Sequence, residues 1–265
     1  MCANSFMTPA AADRPDAGTP WLLGGHMKQN TRRIAQRHAH ARGQIFGIER
    51  GVMAIRTEHA YWLIGPGQCL WLPPHIPHEA RSHGAVAGWS LYVSATKCSE
   101  LPDKPFLAGR TRLLTALADR LSHDADETRW DAPISRLAEC FWHEFLTAPR
   151  VSVSLPFPKS EKLYRVANTL SHNPADLRDQ KDWAELAAMS LRSFVRHFTL
   201  ETGLPFSVWR QRLRILNAQE KLARGESVAT VALDVGYESL GAFATAFHKN
   251  TGYRPSDYAR LCRTP

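Results

Sequence analysis

The spacing of apolar positions changes character twice along the chain. From about Trp21 to Ala95 the apolar residues come in short runs broken by Gly and Pro: Ile45 to Gly51, Val52 to Arg56, Tyr61 to Ile64, Cys69 to Leu72 and Trp89 to Val93. Such runs predict short strands of an antiparallel sandwich or barrel. Pro73, Pro74 and Pro77 lack an N–H donor and are expected outside central ladder positions. Helical spacing then takes over. Leu113, Leu114, Leu117 and Leu121 form one apolar stripe, and Ile134, Leu137, Ala138, Phe141 and Phe145 form another. Two amphipathic helices following a barrel can pack on it or form a dimer seam, since one apolar face serves either purpose. Residues 151–160 (VSVSLPFPKS) have no helical period and read as a linker between domains.

Everything after the linker reads as helix, and it contains an echo of itself. Shifted by 49 positions, Ser190, Leu191, Phe194, Phe198, Thr202, Gly203 and Ser207 fall on Ser239, Leu240, Phe243, Phe247, Thr251, Gly252 and Ser256, and Trp209 falls on Tyr258. This predicts a small helical unit used twice: Trp183–Ala188 then Ser190–Thr202, and Val228–Val235 then Ser239–Thr251. Ser190, Ser227 and Ser239 stand as N-caps, and Gly203, Gly225 and Gly252 as stops. A long helix from about Ser207 to Arg224 joins the units. A short helix, a tight turn and a second helix is the helix-turn-helix plan, whose second helix enters the major groove. The phenylalanines at i and i+4 are expected to face the core. That leaves Arg192, Ser193 and Arg196 of the first unit for DNA, where guanidinium forks read guanine or grip phosphate. The matching positions of the second unit, Gly241, Ala242 and Thr245, are small. They predict backbone contacts through helix amides, Ser239 and Lys249.

Charge agrees with a polyanionic partner. The net charge is +8, and from Arg192 to Arg224 seven basic residues (Arg192, Arg196, Arg210, Arg212, Arg214, Lys221, Arg224) face two acidic ones, Glu201 and Glu220. Hydrophobic content of 44% is that of a soluble globular chain. Five cysteines without a C-x-x-C pair suggest free thiols in a reducing compartment. No apolar run is long enough for a membrane span, and residues 1–18 lack a charged-then-apolar leader pattern and read as a loose tail. The expected location is the cytoplasm.

The tail of the chain, from about Glu161 to Arg263, resembles the DNA-binding domain of AraC/XylS-type transcriptional regulators. The likeness is carried by VATVALDVGYESLGAFATAFHKNTGYRPSDYAR, with Gly236-Tyr237, Phe243, Phe247, Gly252, Pro255 and Tyr258. It implies seven helices and places the DNA-facing positions at Arg192, Val195 and Arg196, and at Ser239, Leu240, Gly241, Ala244 and Thr245. That family often carries polar residues in the second set, where they are scarce in this chain.

A histidine cluster marks the first half. His38-Ala39-His40, Gln44 and Gly51, then Gly67, Pro73 and His78, are similar to the two cupin motifs, with Gln44 where the family has Glu and His75 where it has Gly. Positions 38, 40 and 44 share parity, so on one extended strand they would point to one face. Two readings stay open. Three imidazoles suit Zn²⁺, Ni²⁺, Cu²⁺ or Fe²⁺, although an amide replaces the acid. Alternatively, His38, His40, Gln44 and His78 hydrogen-bond one another, a water or an organic effector.

Sensory cupin domains are common at the N-terminus of AraC/XylS regulators, so the resemblance implies a small effector and dimerising helices. The expectation is an α+β protein of two domains: a loose tail 1–18, a cupin-like antiparallel β-barrel with trailing amphipathic helices at 19–150, the linker 151–160, and an all-α double helix-turn-helix domain at 161–263. The expected partners are promoter DNA, an effector, a second copy of the chain and RNA polymerase. The competing reading is a metal-dependent cupin enzyme with a helical appendage, which lacks an evident catalytic pair.

Overall fold

A computed structural model describes residues 12–263, apart from 15, 17, 83, 126–129, 152 and 153. These residues divide into two compact units that meet in sequence at Ser154/Leu155, with Glu58–Trp62 counted in the second.

The strands are short: β1 Leu22–Gln29, β2 Ile34–His38, β3 Gly43–Arg50, β4 Met53–Thr57, β5 Ala60–Ile64, β6 Gln68–Leu72, β7 His78–Ser82, β8 Val86–Val93, β9 Phe106–Gly109, β10 Arg150–Val151 and β11 Ser154–Pro156. One sheet runs β1-β8-β3-β6-β9-β10 and the other β11-β5-β4-β7-β2. Leu22, Ile45, Trp71, Trp89, Leu91 and Val93 of the first sheet pack against helices, and the alternate residues Met27, Gln44, Phe46, Ser90 and Tyr92 line a cavity on the other face. Because β3 and β8 are covered on both faces, they read as nearly unbroken apolar runs rather than as an in–out alternation.

A short helix α1, Ala95–Cys98, precedes two longer ones, α2 Arg112–Asp124 and α3 Ala132–Thr147. Thr111 and Asp131 cap them, with Pro133 in the first turn of α3. Leu114, Leu117, Ala118, Leu121, Ile134, Ala138, Phe141, Trp142 and Phe145 are buried in one core with the sheet. The buried residues of the two apolar stripes are therefore spent against the sheet. Leu113 departs from the expected stripe: it is 53% exposed and points away from the core.

The expected loose tail is corrected in part. Residues 1–11 of it lie outside the described residues, but from Ala12 the chain is held. Ala12 is buried against Leu23 and Tyr92. The fully buried Arg42 donates to Pro20 O at 2.8 Å and to Thr19 Oγ1 at 2.6 Å, and it pairs with Asp16 at 3.8 Å. Such a cation is tolerable in a core only with partners of this kind. The linker also carries structure. Its β11 lies in a sheet, and Pro156 O accepts from Trp209 Nε1 at 2.6 Å.

From Glu161 onward the described residues form seven helices: α4 Glu161–His172, α5 Gln180–Leu186, α6 Leu191–Thr202, α7 Phe206–Ala223, α8 Val228–Asp234, α9 Leu240–Thr251 and α10 Pro255–Arg263. Among the described residues no helix is long and apolar enough to cross a membrane.

Candidate nucleic-acid interface and effector cavity

The sequence echo becomes a geometric one. Ser190 Oγ accepts from Ser193 N and Ser239 Oγ from Ala242 N, both at 3.2 Å, which starts α6 and α9 in the same way. Phe194 and Phe198 lie 5.7 Å apart by ring centroid, and Phe243 and Phe247 lie 5.6 Å apart. Phe198 meets Trp209 edge-on at 5.5 Å, and Phe247 meets Tyr258 edge-on at 5.5 Å. Both helices end on a left-handed glycine, Gly203 at φ 70° and Gly252 at φ 76°. Just before each, Thr202 and Thr251 donate to the carbonyls of Phe198 and Phe247.

The turns differ. The positive-φ residue is Ala188, two positions before the cap of α6, and Gly236, three positions before the cap of α9. The second turn is thus one residue longer, a slip that the shift of 49 concealed.

With the aromatic rings facing inward, the opposite faces are open. Arg192, Val195 and Arg196 are exposed and Ser193 is half-buried. Ser239, Leu240, Gly241 and Thr245 are exposed and Ala244 is half-buried. Arg196 Nη2 lies 3.1 Å from His197 Nε2. The arginines of α7 differ from these. Arg210 donates to the carbonyls of Asp176 and, at 2.8 Å, Arg178. Arg214 donates to Pro174 O at 3.0 Å and Gly236 O at 3.1 Å, and lies 5.8 Å from the Tyr237 ring. Burial lowers the pKa of both. These two cations of the basic run brace the fold: Arg214 ties the segment before α5 to the turn between α8 and α9.

In the first unit, His38, His40, Gln44 and His78 come together, though not from one strand. His38 ends β2 and sits in register with His78 at the start of β7. His40 lies in the connection to β3, and Gln44 is on β3 in the other sheet. The ring centroids are 4.4 Å apart for His38 and His78 and 5.2 Å for His40 and His78. Each ring is held by a backbone carbonyl at Nδ1: Gln36 O at 2.8 Å for His38, Arg42 O at 2.5 Å for His40 and Ile76 O at 2.9 Å for His78. His40 Nε2 also faces Gln44 Oε1 at 3.2 Å. The Gln44 amide nitrogen donates to Ser90 Oγ at 2.7 Å and Tyr92 Oη at 3.1 Å.

Burial lowers the His40 pKa and brings that of His78 down to about 4. It pushes the Tyr92 phenol up to about 12. At neutral pH the cluster is therefore neutral where it is buried. A cavity of about 270 Å³ adjoins it, with apolar walls from Met27, Phe46, Met53 and Ile55. Ser90 and Tyr92 were missed by reading motifs. Their signal was parity: Tyr92 pairs in register with Gln44, and polar Ser90 recurs two positions away within an apolar run.

Comparison with known proteins gives two family matches. Residues 24–144 match the AraC-like ligand binding domain, and residues 183–261 match a helix-turn-helix domain. The HTH-type transcriptional regulator NimR of Escherichia coli (strain K12) is 29% identical over 231 residues, covering 84% of this chain and 82% of NimR. The HTH-type transcriptional regulator RipA of Corynebacterium glutamicum is 36% identical over 103 residues, covering 39% of this chain and 31% of RipA. A crystal structure of ToxT from Vibrio cholerae O395 aligns with 92% of this chain and 99% of its own, at 12% identity and a TM-score of 0.41.

Proposed function

This chain is an AraC-type DNA-binding transcriptional regulator with an N-terminal ligand-binding domain, and we propose that α6 carries most of its base specificity while α9 anchors the backbone. The observation that carries this is the contrast between two matched helices: α6 presents Arg192 and Arg196 outward, and α9 presents Gly241, Ala242 and Thr245. A guanidinium can contact guanine O6 and N7 together, whereas small side chains let the helix approach phosphate without a bidentate reader.

Bound fragments selected from genomic DNA with the purified chain supply the operator. On that operator, Arg196→Ala is expected to weaken binding by about 1–3 kcal/mol and relax preference at one position. Unchanged affinity and unchanged preference would remove Arg196 from the interface.

The effector we infer is a small, largely apolar molecule with one hydrogen-bonding head, matched to the Met27, Phe46, Met53 and Ile55 walls and the polar end at Gln44, Ser90, Tyr92 and His78. The donor set fits this reading better than a metal centre. His40 has both ring nitrogens engaged, and among the described residues the cavity lining contains no carboxylate. We propose that the chain acts as a cytoplasmic regulator rather than as an enzyme, a reading that the transcriptional regulators similar to it support. On DNA it works as a homodimer addressing RNA polymerase, because two linked reading heads raise affinity through effective concentration. A seam on α2 or α3 would have to use outward residues such as Leu113, the apolar stripes being occupied.

A further inference from the structure

Away from the cavity, on the opposite face of the same sheet, lies a second cluster. Even-numbered residues of β1 face the helices: Leu22 is buried among them, and the backbone at Gly24 touches α2. A Cβ at Gly24 would fall 2.0 Å from Leu121 O, and Gly24 N donates to Ala125 O at 2.6 Å. This close approach brings His26, the next residue of that face, against the last turn of α2. There it meets Asp119 and His123, which stand at i and i+4 on one side of the helix.

One ligand atom from each of His26, Asp119 and His123 lies within 4.8 Å of the other two. Among the described residues this is the group of His, Cys, Asp and Glu that meets that condition. The His26 and His123 rings are 4.1 Å apart. Oxygen atoms lie beside Nδ1 of both rings. Ser122 Oγ donates to Asp119 O at 2.7 Å, which leaves its lone pairs for His26 Nδ1 at 3.0 Å. His123 Nδ1 is 2.9 Å from the same Asp119 carbonyl. With the proton on Nδ1, each imidazole donates to an oxygen and presents Nε2 as its lone-pair nitrogen, the arrangement that metal-bound histidines use. The helix C-terminus adds partial negative charge.

We propose that His26, Asp119 and His123 form a site for a divalent transition metal of the Zn²⁺ class, which cross-links the end of α2 to β1. Two imidazoles and one carboxylate suit a borderline ion, and the exposure of Asp119 and His123 leaves room for water as the remaining ligands. The site is separate from the His38, His40 and His78 cluster and does not depend on how that cluster is read.

The test uses the full chain, stripped with chelator and titrated with Co²⁺ and Zn²⁺. The variants are His123→Ala, Asp119→Asn and, as a control at the other cluster, His78→Ala. The expected result is one equivalent bound by the wild type and by His78→Ala. His123→Ala and Asp119→Asn should weaken it at least about tenfold. They should also lose the rise in Tm that Zn²⁺ gives the wild type. Binding that is absent in the wild type, unchanged in His123→Ala and Asp119→Asn, or abolished by His78→Ala would overturn the proposal.

Discussion

His78 concentrates what burial does to a single side chain. It is 2% exposed, faces His38 and His40, and is held neutral with its pKa down at about 4, chiefly because burial penalises the charged ring. In the unfolded chain the same ring titrates near its ordinary 6.5. Between those values the unfolded state binds a proton that the native state refuses, so stability rises with pH across this window. The contribution is fully present above about 6.5 and is lost as pH falls towards 4, an effect on the order of 3 kcal/mol. Thermal melts from pH 7.5 to pH 4 should show the wild type losing Tm more steeply than His78→Asn, whatever the offset between them at pH 7.5. Parallel curves would mean that His78 is protonated in the native state. His75 shows the other side of residue-scale reading. It occupies a position that is Gly in the cupin pattern, and it adopts φ 61° there with its N–H bonded to His40 O at 2.9 Å.

Among the elements, the matched helices α6 and α9 are set by the same two devices, a serine cap and an aromatic pair. Ser239→Ala removes the acceptor for Ala242 N and should cost about 0.5–2 kcal/mol, with Ser190→Ala costing a similar amount. Phe247→Ala empties a site packed by Phe243 and Tyr258 and should cost about 3–5 kcal/mol. Denaturant titration of the full chain measures both, with the helical unit followed separately if it melts on its own. The brace on α7 gives a third case. Arg214→Ala strips donors from Pro174 O and Gly236 O and should cost about 1–3 kcal/mol. It should also reduce affinity for a two-groove operator more than for a fragment holding one half, since the lost contact fixes the relation between the units. Equal losses on both fragments would reduce Arg214 to a stabilising residue alone.

For the whole molecule, the functional claim is a coupling between a ligand site and a DNA site. An effector shifts the equilibrium only by the difference in its affinity for the two arrangements of the chain. His40→Ala alters the cavity network through Gln44 and leaves every residue of α6 and α9 unchanged. It should leave basal operator affinity within about twofold and abolish the change in affinity that effector produces. A titration of operator binding with and without effector reads both quantities. Loss of basal binding would show that the cavity network supports the DNA-binding form itself.

The duplication was readable from residue spacing alone, because an N-cap serine, phenylalanines four apart and a terminal glycine are local devices that fold the same way wherever they recur. The strand character of the first half and the helical stripes at Leu114 to Leu121 and Ile134 to Phe145 followed from periodicity for the same reason. Periodicity did not reveal β2 or β7, whose residues His38 and His78 meet only through cross-strand register. Nor did it separate Arg196, which is open, from Arg210 and Arg214, which are spent on carbonyls more than thirty and more than twenty residues away. The same holds for the His26, Asp119 and His123 cluster, assembled across more than ninety residues by the approach of α2 to β1 at Gly24. Local chemistry determines which elements form and how they begin and end. Which side chains share a cavity, a brace or a ligand site is decided only when distant segments are packed, because that depends on register and crossing geometry that no window of sequence contains.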